Sequence, residues 1–278
     1  MNIRISLPVV LITLLASFVA LSEEQENPFA KLNWQFGPTT QSIDGVATIE
    51  LPENYFYLDE IETDKYLTLS QNPSSGRDVL ITNNTTWSAY LNFESIGYVK
   101  DNETIDADEL LVDYKKGVKL GNDYRKEKGW STLEVEGWFF KPQYDRNRKL
   151  LEWAFKLRDS KTQQPVVNYY TKILGRTGAV SVLLVASPDE MNASILDLKD
   201  RLNDFSFNEG ERYTEFREGD KVAEYGLAAL ILGGAAAVAT KKGFFGVILA
   251  FLAGAWKILL IPFIFAIGWI KSLFTKNK

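Results

Sequence analysis

The chain has 278 residues, a formal net charge of −5 and 46% apolar residues, and it contains neither cysteine nor histidine. This double absence excludes disulfide bonds, zinc sites built on cysteine or histidine, and nucleophiles activated by histidine. Carboxylate, lysine and tyrosine chemistry remain open.

The N-terminus has the pattern of a secretion signal. Arg4 precedes an apolar run over residues 7–20, and Ala20-Leu21-Ser22 has the small-x-small form of a signal-peptidase site. We therefore predict a removable signal over residues 1–22, with an uncleaved N-terminal anchor as the alternative. The mature chain then begins near Glu23, outside the cytoplasm.

Residues 23–220 are expected to form one exported soluble domain. This stretch carries 35 acidic and 23 basic residues, a net charge of −12. Such an acidic domain repels nucleic acid, which excludes a nucleic-acid-binding function. At about two hundred residues the domain is long enough to be held together by a hydrophobic core alone.

In chain order, residues 23–32 are polar and predict a mobile lead-in. A strand over residues 46–51 stops at Pro52, and a short helix follows over residues 59–69. Strands are predicted next over residues 78–82 and 86–99. Asp106 is the expected N-cap of a helix that ends near Gly129. Its buried stripe is predicted to be Leu110, Leu111, Tyr114 and Val118.

The second half of the domain predicts a strand meander and a closing helix. The strand candidates cover residues 132–140, 149–157, 166–174 and 179–186, and the helix runs from Pro188 to Leu202. Consecutive strands joined by short turns indicate an antiparallel sheet, so the predicted fold class is α+β with helices packed on the sheet. The order of elements, with its Leu-Pro-aromatic first strand, is similar to the PsbP/Mog1 type of sandwich.

Residues 221–278 predict a C-terminal transmembrane tail with helices at about 222–240 and 243–270. The second run contains sixteen Leu, Ile, Val and Phe residues against one charge, Lys257, so insertion is favoured. Small residues recur at four-residue spacing, which suits close helix packing, at Ala229, Gly233, Ala237, Gly246, Ala250 and Gly254. One antiparallel register pairs all six and places Glu224 and Tyr225 beside Trp256 and Lys257 at the membrane interface.

The number of crossings stays open between one, two and three. Residues 226–240 make roughly 22 Å of helix against a hydrocarbon core of roughly 30 Å. A hairpin therefore needs local thinning of the bilayer or extra residues. A third crossing would place Lys271, Lys276 and Lys278 on the same side as Lys241 and Lys242, as the positive-inside tendency prefers. The expected location is the bacterial inner membrane, with the soluble domain on the extracytoplasmic side.

Several motifs together resemble a known family. They are LPENYFYL from Leu51, GYVKD from Gly97, IDADELL from Ile105, GW at Gly137, PQYD from Pro142, VNY from Val167, LGRTG from Leu174, NEGERYTEF from Asn208 and DKVAEYGLAAL from Asp220. The chain is similar in these to the uncharacterised bacterial membrane-anchored proteins called domain of unknown function 2167. The resemblance implies an exported domain with a C-terminal anchor, and it brings no catalytic residues.

Two groups of residues are candidates for a site. The first is an aromatic cleft with an arginine for a carboxylate or sugar ligand, made of Tyr98, Trp138, Tyr144, Tyr169 and Arg176. Core packing and cross-strand pairing are the alternative for these residues. The second is the acidic run Asp101, Glu103, Asp106 and Asp108, which fails the EF-hand pattern and is better read as a solvated loop entering a capped helix. No metal, cofactor or catalytic residue is therefore predicted.

The leading hypothesis is a membrane-anchored envelope protein whose exported domain is a non-enzymatic binding or scaffold module. Its expected partners are the lipid bilayer and either a second copy of the chain or another envelope protein. The alternative is a carboxylate-based envelope hydrolase acting on glycan or lipid, which needs two facing carboxylates roughly 5 to 9.5 Å apart in an aromatic cleft.

Overall fold

The computed structural model describes residues 27–70, 76–83, 86–127, 129 and 131–232. The predicted signal over residues 1–22, residues 233–240 of the first predicted membrane helix and the second helix at 243–270 lie outside the described residues. The same holds for Gly233, Ala237, Gly246, Ala250, Gly254, Trp256 and Lys257.

Strands dominate the described part of the chain. They are β1 (Gln35–Phe36), β2 (Thr39–Ile43), β3 (Ala47–Leu51), β4 (Phe56–Leu58), β5 (Val79–Thr82), β6 (Trp87–Glu94), β7 (Leu133–Asp145), β8 (Leu150–Asp159), β9 (Pro165–Leu174), β10 (Ala179–Ala186) and β11 (Phe205–Phe207). The helices are α1 (Glu60–Leu69), α2 (Ala107–Glu127), α3 (Met191–Arg201) and α4 (Leu227–Ile231), and 3₁₀ turns lie at Pro28–Lys31, Leu202–Asp204 and Tyr213–Glu215. The predicted meander and all three predicted domain helices are confirmed.

The main sheet of the described residues has eight strands in the order β1-β4-β5-β6-β10-β9-β8-β7, and every neighbouring pair is antiparallel. The predicted antiparallel α+β class is therefore confirmed. Strand β6 ends at Glu94, earlier than the predicted residue 99, because the chain turns away at Gly97, where φ is +95°.

A second, three-stranded sheet was not predicted. Its order is β11-β3-β2, and it closes at a tight turn in which Asp44 and Gly45 both have positive φ, 49° and 70°. Pro52 has no N–H to continue the ladder, so β3 stops there and the chain crosses to the main sheet at β4. Strands β3 and β4 are both short, and the alternation of apolar residues does not indicate which sheet each strand joins.

Each face of the main sheet carries its own core, because successive strand residues point to opposite faces. On β8, Leu151 and Phe155 point to one face and Leu150 and Ala154 to the other. The first face, the helical face, is covered by α1, α2 and α4, and the second, the sandwich face, is covered by the small sheet and α3.

Helix α2 covers the edge of the main sheet at β7. Its first turn is capped as predicted, since Oδ1 of Asp106 accepts hydrogen bonds from the backbone N–H groups of Asp108 and Glu109. Near the other end, the Asn122 amide pairs with both the N–H and the C=O of Leu133, at 2.9 and 2.7 Å. Asn122 therefore satisfies backbone groups that an uncovered edge strand would expose.

The chain before β1 is packed, which corrects the predicted mobile lead-in for the residues from Asn27 onward. The Asn27 side chain caps the turn at Pro28–Lys31, and the Phe29 ring lies 5.1 Å from the ring of Tyr66 on α1. Leu32 is buried in the core of the helical face. Phe29 and Leu32 are apolar residues within a polar run, and they pack in the core beside α1.

The packed domain continues beyond the predicted boundary at residue 220. Residues 208–226, here called the connector, lead into α4, whose Leu227, Leu230 and Ile231 are buried in the core of the helical face. Ala229 lies in the same helix and is partly buried. No helix among the described residues is both long enough and apolar enough to span a membrane.

Candidate functional site

The structure places the five predicted ligand-binding residues in different surroundings. Trp138 packs on the Phe155 ring at 4.4 Å and donates its Nε1–H to the carbonyl oxygen of Ala107. Tyr169 is fully buried on the sandwich face, where its hydroxyl donates to Glu152. Both residues therefore contribute to packing between layers.

Tyr98 and Tyr144, in contrast, meet at one edge of the helical face, around the carboxylate of Asp101. Tyr144 donates its hydroxyl to Oδ2 of Asp101 at 2.9 Å, and the Lys149 ammonium group donates to the same oxygen at 2.8 Å. The Lys149 Nζ also lies 4.8 Å from the centre of the Tyr213 ring, which stacks on Tyr98 at 4.5 Å. We call these five residues, Tyr98, Asp101, Tyr144, Lys149 and Tyr213, the Asp101 cluster.

The local chain geometry positions this cluster. Asp145 ends β7 and its Oδ1 accepts from the N–H groups of Asn147 and Arg148, which closes the turn into β8. Lys149, the last turn residue, has φ of +54°, a conformation that non-glycine residues rarely adopt. This turn directs the ammonium group toward Asp101, whose side chain is only 21% exposed.

The protonation states of the cluster are strongly biased. Burial raises the pKa of Asp101, but hydrogen bonds from Lys149 and Tyr144 outweigh it, so the net pKa is below the ordinary value. Burial and the hydrogen bond to Asp101 raise the pKa of the Tyr144 phenol, and burial raises that of Tyr213. At neutral pH the site therefore holds an ionised carboxylate and neutral phenols, which suits recognition better than proton transfer.

Arg176, the predicted anion partner, binds the connector. Its guanidinium donates two hydrogen bonds to the Asp220 carboxylate, at 2.7 and 2.5 Å, and a third to the Gly210 carbonyl oxygen at 3.0 Å. The hydrogen bond from Arg176 lowers the pKa of Asp220 to about 2. In this arrangement Arg176 holds two connector residues in place.

The connector is also fixed by the cluster itself. Tyr213 donates its hydroxyl to the Val99 carbonyl oxygen at 2.7 Å. Farther along, the Tyr98 N–H donates to the Lys221 carbonyl oxygen, and the Ala223 N–H donates to the Tyr98 carbonyl oxygen. These two hydrogen bonds form a parallel β-bridge between Tyr98 and Val222. The Asp101 cluster thus joins the sheet, the loop before α2 and the connector.

Loss of Arg176 is expected to loosen the connector. The variant Arg176→Gln removes the bidentate pair, so local opening becomes more frequent while the sheet stays folded. We expect trypsin to cleave at Arg217 and Lys221 about tenfold faster than in the wild type. The measurement is mass spectrometry of timed digests.

The matched control for this digestion is Arg146→Gln, which removes an exposed turn arginine and also one trypsin site. Its connector is expected to be cleaved at the wild-type rate. Equal cleavage rates in the two variants would contradict the role given to the Arg176 pair.

The four carboxylates of the acidic run point to four different partners. Asp101 binds Lys149, the Glu103 carboxylate accepts from the Ala228 N–H at 2.9 Å, Asp106 caps α2, and Asp108 lies 3.5 Å from Lys141. Within the described residues, no three acidic side chains are grouped as a metal site would require. The predicted cap at Asp106 is confirmed, whereas Asp101 is largely buried in the Asp101 cluster and so departs from the predicted solvated loop.

An open cavity of about 420 Å³ lies beside the small sheet. It is lined by Pro38, Thr39, Thr40, Glu50, Leu51, Pro52, Arg201 and Asp204. Arg201 pairs with Asp204 and its guanidinium carbon lies 5.3 Å from the centre of the Tyr55 ring. Arg201, the cation in this lining, therefore already interacts with Asp204 and Tyr55.

Sequence reasoning missed Lys149, Tyr213 and the central role of Asp101. The sequence pattern predicts Lys149 as the first residue of a strand, and the residue type does not indicate the positive φ that turns its side chain. Tyr213 sits in a charged stretch that reads as a linker. The available signal was that both Asp101 and Tyr213 fall inside motifs of the resemblance, GYVKD and NEGERYTEF.

The Asp101 ion pair predicts a specific pH dependence. Because the folded pKa of Asp101 is below the ordinary value of about 3.9, its stabilisation is present above that value and is lost as pH falls through the folded pKa. Asp101→Asn should lower the free energy of unfolding by about 2 kcal/mol at pH 7 and by less at pH 3. Urea unfolding at both pH values measures this.

The control for the pH experiment is Asp64→Asn, which removes an exposed carboxylate on α1. It is expected to change stability by less than about 0.5 kcal/mol at either pH. A loss from Asp101→Asn that is equal at pH 7 and pH 3 would show that the carboxylate charge is not what stabilises the cluster.

Comparison with known proteins gives a family and distant structural likeness. No curated protein matches the chain. Among solved structures, the solution structure of cyanobacterial PsbP (CyanoP) from Synechocystis sp. PCC 6803 aligns with 62% of this chain and 94% of its own at 11% identity and a TM-score of 0.36. The model of the family described as Protein of unknown function (DUF2167) matches residues 35–266. The match covers most of the chain, which therefore belongs to this family of unknown function.

Proposed function

We propose that this protein is a membrane-anchored bacterial envelope protein whose extracytoplasmic α+β domain is a non-enzymatic binding or scaffold module. The observation that carries the proposal is the connector. It is held by Arg176 through Asp220 and by Tyr213, and it leads into α4, after which the apolar sequence of the predicted anchor continues from residue 233. A domain fixed to its anchor in this way presents its surface in one orientation.

The binding surface of the proposed module is formed by Asp101, Tyr144 and Lys149 of the Asp101 cluster. These residues combine a phenol hydroxyl, a carboxylate and an ammonium group at partial exposure, which are the groups that recognise polar ligands or peptide side chains. The domain itself is inferred to be a PsbP/Mog1-type sandwich, an inference that rests on the Leu-Pro-aromatic strand and the layered order of the elements.

The state of the carboxylates favours binding over hydrolysis. A glycosidase-type pair needs one carboxyl group kept protonated by a raised pKa. The pKa of Asp101 is lowered, and Asp106 and Asp145 each use a carboxylate oxygen to cap local backbone. The carboxylate-hydrolase alternative therefore finds no support at these three positions.

Two apolar segments support the proposed location. The signal over residues 1–22 would export the domain, and the apolar sequence after α4, which includes the predicted helix at about 243–270, would anchor it in the inner membrane. Packing of the predicted small residues after α4, which are Gly233, Ala237, Gly246, Ala250 and Gly254, would join two segments of the tail or two copies of the chain.

The test uses single cysteines, since the native chain has none. In intact cells, a membrane-impermeant maleimide should label Leu196→Cys, at an exposed position of α3, and should not label Lys242→Cys until the membrane is opened. Carbonate washing should leave the protein in the membrane fraction. Protection of Leu196→Cys, or release by carbonate, would overturn the proposed location or anchoring.

A companion measurement addresses activity. The purified full-length protein should turn over none of the substrates in a broad hydrolase screen of glycans and lipids. Turnover that disappears in Asp101→Asn or Asp145→Asn would instead establish the hydrolase alternative.

A further inference from the structure

An exposed apolar patch lies where the connector crosses the loop after β6. Phe216 is 40% exposed and Val222 is 38% exposed, and both flank the partly buried ring of Tyr98. The Phe216 and Tyr98 ring centres are 4.3 Å apart, and Val222 pairs with Tyr98 in the parallel bridge. We call Tyr98, Phe216 and Val222 the connector patch.

The connector patch is fixed before any partner binds. Tyr98 stacks between Phe216 and the buried Tyr213, and its backbone exchanges hydrogen bonds with Lys221 and Ala223. Gly97 allows this approach, since a Cβ atom there would lie 2.7 Å from the Lys221 carbonyl oxygen. The apolar side chains are therefore held at the surface by packing beneath them.

Cations border the connector patch. Lys100, Arg217 and Lys221 are all exposed, whereas the nearby Asp220 is neutralised by Arg176. Exposed Glu218 and Glu224 lie on the same stretch, and the connector as a whole has six acidic and three basic residues, so the three cations border the patch without giving the connector a net positive charge. Aromatic and aliphatic side chains edged by lysine and arginine are typical of the membrane–water interface.

The connector patch lies shortly before the predicted membrane tail in the chain, and this position indicates that the bilayer covers it. Soon after Val222, α4 begins at Leu227, and the apolar sequence then continues from residue 233 to residue 270. Ten residues lie between Val222 and residue 233, and half of them form α4, which is about 7.5 Å long, so the bilayer that the tail enters is within the chain's reach of the patch.

We propose that the connector patch rests in the headgroup region of the bilayer that the tail enters, so that the domain lies on the membrane with this face down. The inference rests on the proposed membrane anchoring. Phe216 and Val222 insert beside the acyl boundary, and Lys100, Arg217 and Lys221 contact lipid phosphates. The opposite, sandwich face with α3 then points away from the membrane.

Site-specific quenching tests this orientation. The full-length protein carrying Phe216→Cys is labelled with bimane and reconstituted into phosphatidylethanolamine/phosphatidylglycerol vesicles, with and without brominated acyl chains. The matched control is Leu196→Cys, an apolar position on α3 that is 70% exposed on the other side of the sheet. Brominated lipid is expected to quench the label at position 216 at least threefold more than the label at 196. Val222→Cys gives an independent probe if the Phe216 variant misfolds.

Flotation of the same vesicles separates the two proposals. Protein that does not float with the lipid contradicts the anchoring itself. Protein that floats while the labels at 216 and 222 are quenched no more than the label at 196 overturns the bilayer contact and leaves the anchoring intact. A label at 216 that is shielded from both lipid and water, with disulfide-linked dimers of the unlabelled variant, would assign the patch to a second copy of the chain and also overturn the proposal.

Discussion

Phe155→Ala is expected to lower the free energy of unfolding by about 4 kcal/mol. Phe155 lies fully buried on β8, at the centre of the helical face. Its ring stacks on Tyr114 of α2 at 3.4 Å and on Trp138 of β7 at 4.4 Å. The alanine leaves a cavity between the sheet and α2, and two large rings lose their partner, so the loss exceeds the transfer free energy alone.

The measurement is urea unfolding of the full-length protein in mild detergent, followed by tryptophan fluorescence. Phe36→Ala is the matched control, because the Phe36 side chain on β1 is 55% exposed, and its expected effect is within about 0.5 kcal/mol. Phe155→Leu should lose about 1.5 kcal/mol, since it keeps most of the volume. A loss below about 1 kcal/mol for Phe155→Ala would contradict the packing of α2 on the sheet.

The strands of the meander could be predicted because alternation is a local property. On β8, the apolar residues from Leu151 to Leu157 alternate with charged or small residues such as Glu152 and Lys156, whereas β10 is a nearly continuous apolar run, and both strands end at clear turn residues. Helix α2 was predictable for the same reason, from the spacing of Leu110, Tyr114 and Val118 and the cap at Asp106.

The candidate site could not be predicted, because its contacts join distant parts of the chain. Asp101 and Lys149 are 48 residues apart, and Arg176 and Asp220 are 44 residues apart. The connector is rich in charges and glycine, which is the composition of a linker, yet Asp220 and Tyr213 fix it to the domain. Periodicity reports which face of an element is buried, and it does not report which partner a polar side chain finds.

The same limit applies to the division of the aromatic residues between the two faces. Tyr169 and Tyr170 are neighbours in sequence, but one belongs to the sandwich face and the other packs on the helical face. A cleft that uses Tyr144 on the helical face therefore cannot include Tyr169. The pairing of β9 with β8 shows which face each tyrosine occupies, because it sets Tyr170 opposite Trp153 on the helical face and leaves Tyr169 on the sandwich face.

Asp197→Leu is expected to destabilise the protein by about 3 kcal/mol. Asp197 on α3 accepts three hydrogen bonds from side chains that lie in the main sheet or next to its strands. The donors are the Tyr55 hydroxyl at 2.9 Å, the Trp87 Nε1–H at 2.7 Å and the Asn83 amide at 3.0 Å. Trp87 is fully buried and Tyr55 is 5% exposed, so water cannot replace the lost acceptor.

Two comparison variants distinguish the loss of the Asp197 carboxylate as a hydrogen-bond acceptor from the other effects of placing leucine on α3. Asp200→Leu alters an exposed aspartate on the same helix and should change stability by less than about 0.5 kcal/mol. Asp197→Asn keeps one acceptor oxygen and should lose about 1 kcal/mol. Equal losses in Asp197→Leu and Asp200→Leu would contradict the role of Asp197 in holding α3 on the sheet.

The Tyr55 phenol provides a second, spectroscopic readout of the same contact. Burial and then the hydrogen bond to Asp197 raise its pKa above the ordinary value. In folded Asp197→Leu the burial remains and the carboxylate is gone, so the pKa should fall toward the ordinary value without reaching it. Ultraviolet titration of folded protein measures this against Asp200→Leu. An unchanged titration, together with an unchanged free energy of unfolding, would show that α3 is held by its apolar residues alone.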